Sequence, residues 1–250
     1  YGFILQGDPR IAPDRPTLPG PAIVLRRGEP VAITVVNELP EATSVHWHGI
    51  ELESYFDGVA GFSGNGGRIS PAIAPRDSFV ARFTPPTSGT FMYHPHADEV
   101  RQQQAGLSGT IVVVDDPATY NAERDFIVMI STPRRATESQ TVYLNGSSTP
   151  APREWRVGER YRIRFVNIHT SRPSMIGRLM QDTTTLTWRA IAKDGADLPP
   201  ERAIVGPALQ QLGNGEVYDF EFTPTSPGDL RFLVTAGNGN PLAALPIRVR

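Results

Sequence analysis

The sequence predicts an all-β chain built from two sandwich domains of one type, and three observations carry that expectation. Glycine (23) and proline (24) together make up nearly a fifth of the 250 residues, a balance that favours turn-rich β structure over helices. Apolar residues fall in short alternating or continuous runs bounded by turn signals, and no stretch sustains a helical period. The second half of the chain also repeats the first.

Taken in order, Ala22 to Leu25 and Val31 to Val36 read as strands on either side of an Arg27-Gly28-Glu29 turn. Thr43 to Ile50 reads as a strand carrying Val45-His46-Trp47-His48-Gly49. A polar, glycine-rich loop follows from Asp57-Gly58 to Gly66-Gly67, too long for a hairpin turn. Ser78 to Phe83, Thr90 to His96 and Thr110 to Val114 complete the first set, with an exposed helical turn or two expected across Ala97 to Gln104.

The repeat is ungapped where it is clearest. Gly28 to Asn37 aligns with Gly158 to Asn167, and Phe83-Thr84-Pro85 with its following Gly89, Phe91 and Tyr93 aligns with Phe222-Thr223-Pro224, Gly228, Leu230 and Phe232. Domains at 1–116 and 117–250 are expected, joined across Asp116 to Asp125. In the second copy Leu233 stands where the first has His94, so the scaffold does not need that histidine to fold.

Composition narrows the function classes. A net charge of −2 offers no basic footprint, so nucleic acid is not an expected partner. No apolar run approaches the roughly 18 residues of a membrane span. No cysteine is present, which excludes disulfides, thiolate zinc or iron–sulfur sites, a cysteine nucleophile and a blue-copper centre. The chain begins at Tyr1 with no methionine and no signal peptide, and a mature product or a piece of a longer protein is expected.

Four of the five histidines fall in two His-x-His pairs, His46/His48 and His94/His96. Alternate residues of a strand share a face, so each pair projects two imidazoles to one side. Two pairs on neighbouring strands gather four neutral nitrogen ligands, suited to copper, zinc, iron or nickel. The competing reading is four polar strand residues satisfied by nearby carboxylates. Trp47, Phe91 and Tyr93 are expected to wall the site from water, and Asp98 and Glu99 to orient ring nitrogens. His169, aligned with Leu39, is expected at the surface. Met175 and Met180 are expected as apolar filler or loop, and Arg160, Arg162 and Arg164 as a solvated strand face.

His46-Trp47-His48-Gly49, Asp57-Gly58, Gly89 to His96 and Gly106-Leu107-Ser108-Gly109 together resemble the first half of the multicopper oxidases, the laccase-like cupredoxins. The resemblance covers residues 20–115 in order. Residues 120–250, with Leu144-Asn145-Gly146 and Gly158 to Tyr161, are more loosely similar to a copper-free domain of that family. It implies two cupredoxin-like (plastocyanin-like) Greek-key β-sandwiches, copper as cofactor, and O₂ reduction to water coupled to one-electron oxidation of a reducing substrate. It further implies that His46 ligates type 2 copper, that His48, His94 and His96 ligate the type 3 pair, and that Asp57 relays protons. On the residues alone, Asp57-Gly58 is equally a turn.

This sequence departs from the family in carrying four histidines where a complete trinuclear cluster draws eight, and in lacking the His-Cys-His segment. The cluster is therefore expected to be incomplete, the isolated chain inactive, and a cysteine-bearing cupredoxin domain supplied by the same polypeptide or another subunit. The resemblance places such an oxidase in the periplasm or outside the cell. A non-catalytic copper-binding protein and a purely structural pair of sandwiches are the alternatives.

Overall fold

The computed structural model describes residues 1–6, 15–132, 142–170 and 174–250, and all that follows concerns these residues. The chain divides into two compact units, Tyr1–Tyr120 and Asn121–Arg250.

In the first unit β1 (Gly20–Arg26), β8 (Gly109–Val114), β7 (Gly89–His94) and β3 (His46–His48) form one sheet in that order. β1 runs parallel to β8, and β7 is antiparallel to both β8 and β3. β2 (Val31–Val36) pairs with β6 (Ser78–Phe83) in a second, antiparallel layer. Burial alternates along β2, with Val31, Ile33 and Val35 turned towards a core of Leu25, Trp47, Phe83, Phe91, Tyr93 and Ile111. Withdrawing each of the large core side chains from water contributes about 1.5–3 kcal/mol.

Several expected elements are shorter or differently placed. The first histidine strand shrinks to three residues, and Thr43 contributes only an isolated bridge to Ile73. β7 stops at His94 because Pro95 has no N–H to continue the ladder. The glycine-rich loop contains a two-residue hairpin, β4 (Gly64–Asn65) with β5 (Arg68–Ile69). The helical turn is present as α1 (Glu99–Gln104), but it is not wholly exposed, since Gln102 and Gln103 are buried.

The second unit places β10 (Tyr143–Leu144), β9 (Asp125–Ser131), β12 (Tyr161–Asn167), β19 (Val217–Phe222), β15 (Thr187–Lys193) and β16 (Ala196–Asp197) in one sheet, with β17 (Val205–Pro207) on β15. Its second sheet runs β11 (Arg153–Trp155), β21 (Pro241–Val249), β20 (Gly228–Thr235), β13 (Ser174–Gln181) and β14 (Thr184–Thr185), with β18 (Leu209–Gly213) also on β13. The core between them contains Trp155, Phe165, Trp188, Phe220 and Phe232.

The repeat extends to individual hydrogen bonds. Val31 faces Phe83 across β2 and β6 as Tyr161 faces Phe222 across β12 and β19. The Gly28 N–H donates to the Pro85 carbonyl at 2.9 Å, as Gly158 does to Pro224 at 2.9 Å. Asn37 and Asn167 are both buried, and their side-chain oxygens accept from the N–H two residues on, that of Leu39 at 2.9 Å and of His169 at 3.1 Å. A buried amide must be satisfied on both sides. The side-chain nitrogens meet that demand by donating to backbone carbonyls of neighbouring segments, Asn37 to Ile73 at 2.8 Å and Asn167 to Gly213 at 2.9 Å.

Two expectations about this unit are corrected. His169 is fully buried rather than on the surface, because the chain past Asn167 stays paired with the end of β9, the Ile168 N–H donating to the Ile130 carbonyl at 2.9 Å and the Thr170 N–H to the Thr132 hydroxyl at 2.9 Å. The arginine face is not uniformly solvated either. Arg164 is 2% exposed, its Nε donates to Asp125 at 3.0 Å, and its Nη1 donates to Asp219 at 3.1 Å. Arg162 donates to the same Asp219 oxygen at 2.6 Å, while Arg160 stays largely exposed. Pairing opposite β9 and β19 brings carboxylates onto the arginine face, and buried charges persist only when paired in this way. Met175 is fully buried in the core, as filler.

Candidate metal centre

β3 and β7 are adjacent and antiparallel, with His46 opposite His94, Trp47 opposite Tyr93 and His48 opposite Met92. The two-residue period puts His46, His48 and His94 on one face and Trp47, Phe91 and Tyr93 on the other. Those three aromatics are core residues and do not wall the histidines as expected. The Tyr93 hydroxyl donates to the Pro21 carbonyl at 2.8 Å, and burial raises its pKa above the usual phenol range.

The imidazoles converge. His46, His48 and His94 each offer a ligand atom within 4.8 Å of the other two. His94 Nε2 lies 3.3 Å from His48 Nδ1. Two imidazole nitrogens held by one tetrahedral first-row ion at about 2.0–2.1 Å stand about 3.3–3.4 Å apart, so the pair fits a shared metal. The His96 ring lies 5.3 Å from that of His46 and 5.7 Å from that of His94, while its Nε2 faces the Glu99 carboxylate at 3.6 Å. His96 thus joins the cluster at its more exposed edge, outside the three-nitrogen set.

Asp57 fixes the far side of His46. The His46 Nδ1 lies 2.9 Å from the Asp57 carbonyl and 3.1 Å from its carboxylate, which also accepts from the Ser63 hydroxyl at 3.1 Å. An Nδ1–H held by these oxygens leaves Nε2 as the lone-pair nitrogen of His46. Burial opposes a charge on His46, but the hydrogen bonds and charge of Asp57 outweigh it and its pKa is raised. Burial likewise opposes ionisation of Asp57, yet His46 and Ser63 hold its carboxyl below the usual range. His94 has no such counter-charge. Burial, then repulsion from His46, pushes its pKa down to about 3, so its ring is neutral.

Gly58 makes this contact possible. With φ +81°, it packs where a Cβ would strike the Val45 carbonyl, one residue before His46. Asp57-Gly58 is therefore more than a turn. It is a close backbone approach that delivers the Asp57 oxygens to the ring.

Other positioning residues carry no signal as isolated letters. The His96 N–H donates to the Ser44 hydroxyl at 3.1 Å, tying the two histidine segments together. Gln102 is fully buried, accepts from the Thr43 hydroxyl at 2.7 Å and donates to the Ala42 carbonyl at 2.8 Å. Gln103 reaches His94 Nδ1 at 2.9 Å. Glu99 lies beside His96 and Gln103, whereas Asp98 turns away to Arg101 at 2.5 Å. Only the helix, which aims residues 102 and 103 at different neighbours, distinguishes these side chains from surface glutamines.

The second unit shows the same frame without the site. Register places Arg178 opposite Leu233 and Met180 opposite Arg231, where the first unit has His46 opposite His94 and His48 opposite Met92. Arg178 donates to Thr235 at 2.9 Å, the position equivalent to His96.

A family model described as multicopper oxidase matches residues 16–118, the stretch that contains all four histidines. Residues 16–118 form a multicopper oxidase domain. The chain is 39% identical over 115 residues to a copper resistance protein A homolog of Pseudomonas syringae pv. tomato, across 46% of this chain and 18% of that protein. It is 30% identical over 203 residues to an L-ascorbate oxidase of Nicotiana tabacum, across 67% of this chain and 33% of that one. The chain thus spans between about a fifth and a third of the length of these relatives. A crystal structure of a multicopper oxidase superposes with a TM-score of 0.77 at 20% identity, covering 94% of this chain and 79% of the other. That likeness bears out the expected all-β, cupredoxin-like fold. Copper is the metal of the multicopper oxidases, and a chain without cysteine cannot supply the thiolate of a type 1 site.

Proposed function

We propose that the first unit supplies one wall of a trinuclear copper site in a laccase-like multicopper oxidase, with His46 serving type 2 copper and His48, His94 and His96 serving the type 3 pair. The 3.3 Å approach of His48 Nδ1 to His94 Nε2 carries the reading. Two imidazole nitrogens at a metal-sharing distance, one of them on a ring whose pKa burial pushes down, suit a transition metal rather than a salt-bridged surface pair. The remaining histidines, and the cysteine-ligated copper that feeds the cluster, come on this reading from a cupredoxin domain outside these residues.

Copper held by His46, His48, His94 and His96 would supply one-electron redox chemistry for the four-electron, four-proton reduction of O₂ to two waters. The chain's own residues position and protonate. Asp57 holds His46 by its Nδ1, leaving Nε2 to the metal, and the Asp57 carboxylate beside the Ser63 hydroxyl is placed to pass protons towards the cluster. Trp47, Phe91 and Tyr93 lock β3 and β7 from the core side and so hold the ring spacing. The periplasm or cell exterior is the proposed location. No helix among the described residues is long and apolar enough to cross a membrane.

Copper titration of the purified chain, followed by calorimetry and electron paramagnetic resonance, tests this. Weak binding that is lost in a His48→Ala, His94→Ala double variant is expected. Copper retained by that variant overturns the site. One tightly held ion per monomer, from the three converging nitrogens, favours instead a non-catalytic copper-binding protein. Oxidation of a phenol by the copper-loaded chain alone overturns the incomplete cluster.

A further inference from the structure

We propose that Gln103, steered by Glu99, is a positioning residue that sets which ring nitrogen of His94 carries the proton, and thereby how readily His94 accepts a metal. The inference rests on the copper reading for its consequence, but not for the proton placement itself.

His94 is 4% exposed, and its two ring nitrogens meet Pro95, Gln103 and His48 in the neutral imidazole that metal binding uses. One nitrogen therefore bears a hydrogen and the other a lone pair. Nε2 points at His48 Nδ1, and Nδ1 is contested by two groups of opposite character. The Pro95 carbonyl, 3.1 Å away, can only accept and favours an Nδ1–H. The Gln103 side-chain nitrogen, 2.9 Å away, can only donate and favours an Nδ1 lone pair. A single Nδ1 cannot satisfy both.

Glu99 decides the contest. Its carboxylate accepts from the same Gln103 nitrogen at 3.1 Å, one helical turn earlier on α1. Turning the amide over would set its oxygen against the carboxylate, acceptor against acceptor. With the amide held, both of its hydrogens are engaged, one on Glu99 and one on His94 Nδ1. The His94 proton then lies on Nε2 and is shared with His48 Nδ1 at 3.3 Å. This arrangement occupies the two nitrogens that a shared ion needs. Metal entry requires the proton to leave Nε2 and Nδ1 to gain one directed at Pro95, while the Gln103 amide turns or withdraws. Glu99 also lies 3.6 Å from His96 Nε2, so one carboxylate touches the surroundings of two candidate ligands.

The test is long-range ¹⁵N–¹H correlation on the imidazole nitrogens of the metal-free 250-residue chain, paired with copper(II) titration. Wild type is expected to show His94 protonated at Nε2. Gln103→Leu, which removes the donor at similar size, and Glu99→Gln, a change at a partly exposed position that frees the amide to turn, should each move the proton to Nδ1. Releasing one hydrogen bond's worth of bias should tighten copper binding about three- to tenfold. Gln103→Asn, too short to reach both partners, should resemble the leucine variant. A wild-type His94 already protonated at Nδ1, or a ¹⁵N pattern unchanged in both Gln103→Leu and Glu99→Gln, overturns the proposal. A proton that moves as stated in a chain binding no copper removes the copper reading and leaves the positioning role of Gln103 standing.

Discussion

His48 Nδ1 and His94 Nε2 stand 3.3 Å apart although 46 residues separate them in sequence. They meet because β3 and β7 pair with His48 opposite Met92 and His46 opposite His94, so a side chain from each strand leans over the same ladder position. The neighbouring aromatics bury themselves on the opposite face, and their packing maintains the spacing without contributing a ligand.

Asp57 orients His46 from outside the cluster. Replacing it with alanine should weaken copper binding by about 10–100-fold, the usual loss when the partner of a metal-ligating histidine is removed. Calorimetric titration measures this, and affinity equal to wild type would show that the Asp57 contacts do not orient the ligand.

Gly58 combines a positive φ with a position that admits no Cβ beside Val45. Gly58→Ala should cost about 2–4 kcal/mol and displace the Asp57 oxygens from His46. Urea denaturation reports the first effect. Loss of the His46 Nδ1–H signal in ¹⁵N spectra reports the second.

The depressed pKa of His94 predicts a pH dependence. In the unfolded chain its pKa is near 6.5 and in the folded protein about 3, so between these values the unfolded state binds the extra proton. Stability therefore falls as the pH drops from 6.5 towards 3, by up to about 1.4 kcal/mol per unit from this group. His94→Gln should flatten the stability profile across that window. An unchanged slope would mean that the ring protonates readily in place.

Asp219 is 1% exposed and receives both Arg162 and Arg164. Asp219→Ala leaves a buried guanidinium short of a counter-charge and should cost about 3–5 kcal/mol. Arg160→Ala, at a position 74% exposed, should change stability by no more than about 1 kcal/mol. Equal effects of the two substitutions in urea melts would contradict the burial difference between them.

Metal bound only by the folded state raises its stability by mass action. Added copper should therefore raise the melting temperature of wild type, and a chelator should reverse the rise. The His48→Ala, His94→Ala variant should show neither response.

Much of this was legible in the letters. The repeat, the strands at Val31 to Val36 and Ser78 to Phe83, the paired histidines and the missing thiolate are local or countable properties, and they determined the all-β fold and the transition-metal character of the first unit. The two-residue period also determined that His46 and His48 share a face opposite Trp47. What it left open is which face meets the core and what stands across from it, because both depend on pairing between strands far apart in sequence. Tertiary structure decided that Trp47, Phe91 and Tyr93 pack inward, that His169 is buried, and that Arg164 meets Asp125 and Asp219. It also decided the hydrogen-bond surroundings of His94. Glu99, Gln103 and Pro95 act on one imidazole only after β7 ends at the proline and α1 folds back over it, and no spacing rule along the chain encodes that closure.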